Sequence, residues 1–67
     1  MSVAKVIEVV GNSAKGWEDA AKVAVAEAAK TVRNIRGVEI VGMTGIVEEG
    51  KIVEYRASVK IAFGVER

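Results

Sequence analysis

The chain has no cysteine, no histidine and no proline among its 67 residues. Without cysteine there is no disulfide framework and no thiol nucleophile. Without cysteine and histidine there is no ordinary structural zinc site, and no Ser-His pairing for acyl transfer. Aromatic residues are equally scarce, with one Trp, one Tyr and one Phe, so each is a potential landmark. Charge of one sign is also missing. Ten Lys+Arg against nine Asp+Glu leave a formal charge of +1, which supplies no electrostatic case for nucleic acid. No apolar run approaches the roughly 18 residues that span a bilayer. The opening Met1-Ser2-Val3-Ala4-Lys5 lacks the charged-then-apolar order of a secretory signal. A cytoplasmic protein with no membrane partner is expected.

What is present is apolar residue in quantity, 51% of the chain against 28% charged, which requires a packed fold rather than disorder. The length allows a single domain over residues 1–67. A domain of about 60 residues buries only about 60% of its unfolded surface. Small folds are usually supplemented by disulfides, metals or partners. Here self-association is the expected supplement.

Val3 to Val10 (VAKVIEVV) mixes β-branched residues with charge near period two, a strand with Val3, Lys5, Ile7 and Val9 on one face. Gly11-Asn12-Ser13 breaks it, and Ser13 is the expected helix N-cap. From Ala14 to about Asn34 the composition is Ala, Lys and Glu, which predicts a helix. Its buried stripe runs through Trp17, Ala20 or Ala21, Ala24, Ala28, Thr31 or Val32, and Ile35. Glu18 with Lys22, and Glu27 with Lys30, are spaced for surface ion pairs. Acids early and bases late, Lys30 and Arg33 among them, complement the helix dipole. Gly37 is expected just past the helix end, where a positive φ is common.

Val38 to Val47 returns to strand, with Gly42 and Gly45 marking bends or close approaches. Glu48-Glu49-Gly50-Lys51 reads as a turn, and Ile52 to Val65 alternates cleanly. Val53, Tyr55, Ala57, Val59, Ile61, Phe63 and Val65 share one face; Glu54, Arg56, Ser58 and Lys60 share the other. The last two strands form a hairpin. The order is β-α-β-β, an α+β fold. One Ala-rich helix of about 30 Å cannot cover strands reaching about 43 Å, so apolar sheet surface is left for other subunits.

Chemistry-bearing motifs are few. Gly11 to Gly16 imitates the start of a P-loop, but Trp17 and Glu18 stand where Lys and Ser/Thr would hold phosphate and magnesium. The Glu48, Glu49 and Glu54 carboxylates lack EF-hand spacing and read as a solvated turn. Lys30, Arg33 and Arg36 read as a surface basic patch, and Trp17 as a packing residue. No pair is poised for general acid–base work, so an enzyme is not expected.

The run VIEVVGNSAKGWEDAAKVAVAEAAKTVRNI, followed by a hairpin closing in EYRASVKIAFGVE, resembles the dodecin family over nearly the whole chain. That resemblance implies a three-stranded antiparallel sheet wrapped around one helix. It further implies twelve subunits in a hollow homododecamer, with a non-enzymatic role in binding and sequestering flavin, FMN or riboflavin. The ligand-binding positions it indicates are Gly37, Thr44, Tyr55 and Arg56. Two of these depart from the family pattern. Gly37 stands where flavin-binding members place a stacking tryptophan, and Arg56, after Tyr55, stands where they place a flavin-contacting glutamine. Dodecin-like proteins without that tryptophan imply the alternative, a flavin-independent shell that binds cations such as calcium or is purely structural.

Overall fold

The computed structural model describes residues 3–65. Strand β1 (Val3–Ser13) leads into helix α1 (Trp17–Ala28), then β2 (Ile35–Glu48) and β3 (Lys51–Val65). The three strands form one antiparallel sheet in the order β1-β3-β2. β3 is therefore central, and its 15 residues account for the 52 Å length of the molecule. The expected β-α-β-β order and the single sheet around one helix are both observed.

Directly opposed residues of an antiparallel pair share a face. Val9, Val59 and Ile40 line up across the sheet, as do Ile7, Ile61 and Val38. The alternation read from β3 is the one that packs. Ala57, Val59 and Ile61 are fully buried beneath Ala20 and Ala24 of α1. Small alanines let the helix lie close to the sheet, and the closest approach is at Gly11. A Cβ there would collide with the Ala20 carbonyl oxygen and come 2.9 Å from Ala24 Cβ. Only glycine fits.

The helix is shorter than its composition predicts. It starts after Gly16, which has no side-chain cap, and not at Ser13. Ser13 belongs to β1, paired with Tyr55; its hydroxyl donates to Asp19 Oδ2 at 2.6 Å and accepts from the Lys15 N–H at 2.9 Å. Ser13 thus shapes the turn into the helix without capping it. At the other end, the Lys30 and Thr31 N–H groups donate to carbonyls only three residues back, tightening the last turn. Asn34, with φ 63°, then reverses the chain into β2. The apolar spacing continues past the helix to Ile35 because its side chain packs back onto the same core. The Glu18–Lys22 and Glu27–Lys30 pairs form at 3.2 and 3.0 Å, although Lys30 and Arg33 lie beyond the last helical turn, which itself carries no basic residue.

Gly37 also moves. It lies inside β2, opposite Ala62, and its φ is not in the left-handed region. The register of β2 slips at Ile35/Gly37, Ile40/Gly42 and Ile46/Val47, so an irregularity accompanies Gly42 as expected, and another falls at Gly37. The β2–β3 turn takes its positive φ at Glu49 and Gly50. Among the described residues no helix is long and apolar enough to cross a membrane.

Candidate functional site

The helix covers β1 and β3 and barely reaches β2. Val38, Ile40 and Met43, on the helix side of β2, are therefore left bare, Met43 at 59% exposure. A narrow apolar groove of about 320 Å³ runs between Val38 and Ala21, Lys22, Val25 and Ala26 of the helix. The sheet surface left over by a short helix is thus concentrated on one edge strand.

The other side of the sheet, its outer face, carries no helix. Its side chains form cross-strand rows: Val6–Ala62–Gly37, Glu8–Lys60–Glu39, Val10–Ser58–Gly42 and Asn12–Arg56–Thr44. Apolar and charged rows alternate. Gly37 leaves a gap in the first of these, and a Cβ built there meets no heavy atom within 4 Å. The result is a cleft of about 510 Å³ bounded by Val6, Gly37, Val38, Glu39, Lys60 and Ala62.

Two of the four anticipated site residues share one face, and a third lies behind them on the other. Thr44 and Arg56 are cross-strand partners on the outer face, and Tyr55 lies next to them on the helix side. Trp17 ties this corner down. Its ring meets Tyr55 edge-on at 4.8 Å between centroids, and its indole N–H donates to the Thr44 carbonyl at 2.8 Å. Gly45 beside it is a close approach to β3, where a Cβ would come 3.3 Å from Ile52 Cγ2. Trp17 is a packing residue, as its place on the alanine stripe suggests. What the sequence did not reveal is that it packs on β2 and not only on its own stripe. Arg56 is held by Glu54, Nε to Oε2 at 3.0 Å.

Gly37 is not part of that cluster. Six residues of β3 separate its partner Ala62 from Arg56, about 20 Å at about 3.4 Å per residue. Within one chain the two positions share a face and do not share a pocket.

The acidic residues stay dispersed. Among the described residues no group of three or more carboxylates is placed to hold a metal ion, and Glu54 is engaged with Arg56.

A three-stranded antiparallel sheet closed over one short helix, with a bare edge strand and a cleft on its free face, defines a small β-α-β-β protein built to meet other surfaces. The dodecin family model matches residues 3–66. The chain belongs to the dodecin family. It is 34% identical to the dodecin of Thermus thermophilus over 64 residues, 96% of this chain and 93% of that protein. It is 35% identical to the calcium dodecin of Mycobacterium tuberculosis over 63 residues, 94% of this chain and 89% of that protein. The structure of a T. thermophilus dodecin variant superposes with a TM-score of 0.95 at 33% identity, covering both chains completely. That of the M. tuberculosis protein, a calcium-chelating antigen with a calcium-binding site, gives 0.82 at 36% identity, covering 97% of this chain and 93% of that one.

Proposed function

We propose that the chain assembles in the cytoplasm into a hollow homododecameric shell that binds and sequesters a small planar ligand, flavin first among candidates, without catalysing a reaction. The observation that carries this reading is the split site on the outer face. Gly37 with its cleft, and Thr44 with Arg56, lie on one face about 20 Å apart, which is too far for one small ligand to touch both. A two-fold axis through the Ser58–Lys60 region would bring the Gly37 row of one chain opposite the Arg56 row of its partner. A flat ligand would then lie between two sheets, contacted by Gly37, Thr44 and Arg56 drawn from two chains, with Tyr55 backing the Thr44–Arg56 corner from the helix side. The bare Val38, Ile40 and Met43 supply the apolar surface that assembly removes from water.

A second reading has its own support. The similarity to the calcium dodecin, and the absence of a stacking ring at Gly37, favour a shell that holds cations. With no carboxylate cluster in the described part of one chain, such a site would gather Glu8 or Glu39 from several copies.

The purified protein separates the two. The flavin reading expects absorbance of oxidised flavin in the preparation, or saturable quenching of added flavin fluorescence, in a particle twelve times the chain mass. A colourless particle of that size, unresponsive to flavin and carrying stoichiometric calcium, decides for the cation shell.

A further inference from the structure

Ser13, Tyr55 and Gly45 form a row across all three strands on the helix side of the sheet. The first turn of α1 grips this row at both ends. On β1, Asp19 accepts the Ser13 hydroxyl at 2.6 Å; on β2, the Trp17 indole N–H donates to the Thr44 carbonyl at 2.8 Å. Between these two bonds the indole lies edge-on to Tyr55, with 84° between the ring planes. Trp17 and Tyr55 are half-buried. The next row, Asn12–Arg56–Thr44, projects from the opposite face, where Arg56 and Thr44 are exposed. Trp17 therefore stands directly behind the Thr44–Arg56 corner and bridges the two strands that form it.

The two residues of that corner are not held alike. Arg56 is on the central strand, bonded on both sides, and its guanidinium is braced by Glu54. Thr44 is on an edge strand, between the register slips at Ile40/Gly42 and Ile46/Val47. Such irregularities disrupt the ladder locally, and β2 has no neighbour on its far side to compensate. The helix hardly reaches β2. The Trp17 contact is thus the support that Thr44 receives from outside the sheet.

We infer that Trp17 is the positioning residue of the Thr44–Arg56 half of the site, fixing the Thr44 backbone from the helix side and with it the place of Thr44 opposite Arg56. Trp17 touches no ligand and acts through the Thr44 carbonyl and the Tyr55 ring. This rests on the reading that Thr44 and Arg56 meet a ligand, and deepens it by assigning what sets their geometry. A bond to a main-chain carbonyl suits the task, because it constrains the backbone whatever the side chain at 44 contacts.

The test is Trp17→Phe, which keeps a ring against Tyr55 and removes the N–H donor. Hydrogen exchange of the assembled protein, read by mass spectrometry, is expected to accelerate roughly fivefold over residues 42–46 and to stay unchanged over residues 57–61. The riboflavin dissociation constant, from fluorescence quenching, should rise roughly three- to tenfold. Val59→Ala is the control, since it weakens the buried core away from the corner, and it should leave riboflavin affinity unchanged. Light scattering checks the particle mass of each variant. Unchanged exchange over 42–46, or acceleration spread equally over the core, would overturn the assignment. So would riboflavin affinity that survives Trp17→Phe, affinity that falls as far in Val59→Ala, or a Trp17→Phe chain that no longer assembles. Wild-type protein that binds no riboflavin would sink the flavin reading and not the positioning role, which the exchange comparison then decides alone.

Discussion

Gly37 is the position where one substitution separates a missing contact from a missing site. Its backbone is free of left-handed strain, and an added Cβ meets nothing within 4 Å. Gly37→Trp should therefore fold and assemble. If the cleft is otherwise competent, an aromatic platform contributes about 1–3 kcal/mol per stacked ring, about fivefold to more than a hundredfold in affinity. Flavin-fluorescence quenching is expected to strengthen by that factor. An assembled Gly37→Trp protein with no gain would mean that the cleft does not present flavin to residue 37. Gly11 is the opposite kind of glycine, since a methyl there runs into the Ala20 carbonyl and Ala24. Gly11→Ala should force α1 off the sheet and lower stability by several kcal/mol, at the upper end of overpacking effects of about 1–3 kcal/mol, read as a loss of urea midpoint. Trp17→Phe is milder. It removes the indole bond to the Thr44 carbonyl, worth about 1 kcal/mol, and leaves most of the apolar ring in place.

At the scale of elements, β3 was the most legible and α1 the least. Strict alternation from Val53 to Val65 has one physical solution, a strand with a dry face, and Ala57, Val59 and Ile61 at 0% exposure are that face. Val59→Ala or Ile61→Ala should cost about 2–4 kcal/mol in thermal or chemical unfolding, because the rigid sheet cannot close over the cavity. A loss below about 1 kcal/mol would show that the core relaxes. The helix was overread by six residues at its C-terminal end, for a reason the sequence itself supplies. Ile35 keeps helical spacing with Ala28 because both pack on the same core, and nothing in the spacing says that the backbone has left the helix at Ala28. The tightened turn at Lys30 and Thr31 and the left-handed Asn34 are hydrogen-bond events that composition does not encode. The candidate site divides in the same way. The pairing of Thr44 with Arg56 needed the structure as well, since a plain count from the Glu48–Lys51 turn gives Tyr55 and the register slip at Ile46/Val47 shifts it by one. The roles of Gly37 and Arg56 came from family resemblance and not from any pattern in the residues.

The whole molecule is a 52 Å sheet carrying a 12-residue helix about 18 Å long, and that mismatch sets its largest-scale behaviour. Val38, Ile40 and Met43 face the side of the sheet where a longer helix would have covered them, each about half exposed or more. Burying a large apolar side chain stabilises by about 1.5–3 kcal/mol when complete, so these half-exposed residues offer several kcal/mol per chain to a partner. A domain of this size has only a few kcal/mol of its own. Association should therefore contribute as much to persistence as the internal core, and folding and assembly should be lost together. Ile40→Glu tests this without touching Ala20, Ala24, Ala57, Val59 or Ile61, the residues that hold a single chain together. It places a charge in the bare strip, where desolvation in an interface is severely unfavourable and exposure in a monomer is harmless. Wild-type protein is expected to elute as one large particle at micromolar concentration, with a melting temperature that rises with protein concentration. Ile40→Glu should shift light scattering to monomer or small oligomer and remove the concentration dependence. If wild-type protein proved a stable folded monomer at micromolar concentration, the bare strip would not be an assembly surface. An Ile40→Glu particle of unchanged mass would place the contacts elsewhere, on the outer face alone.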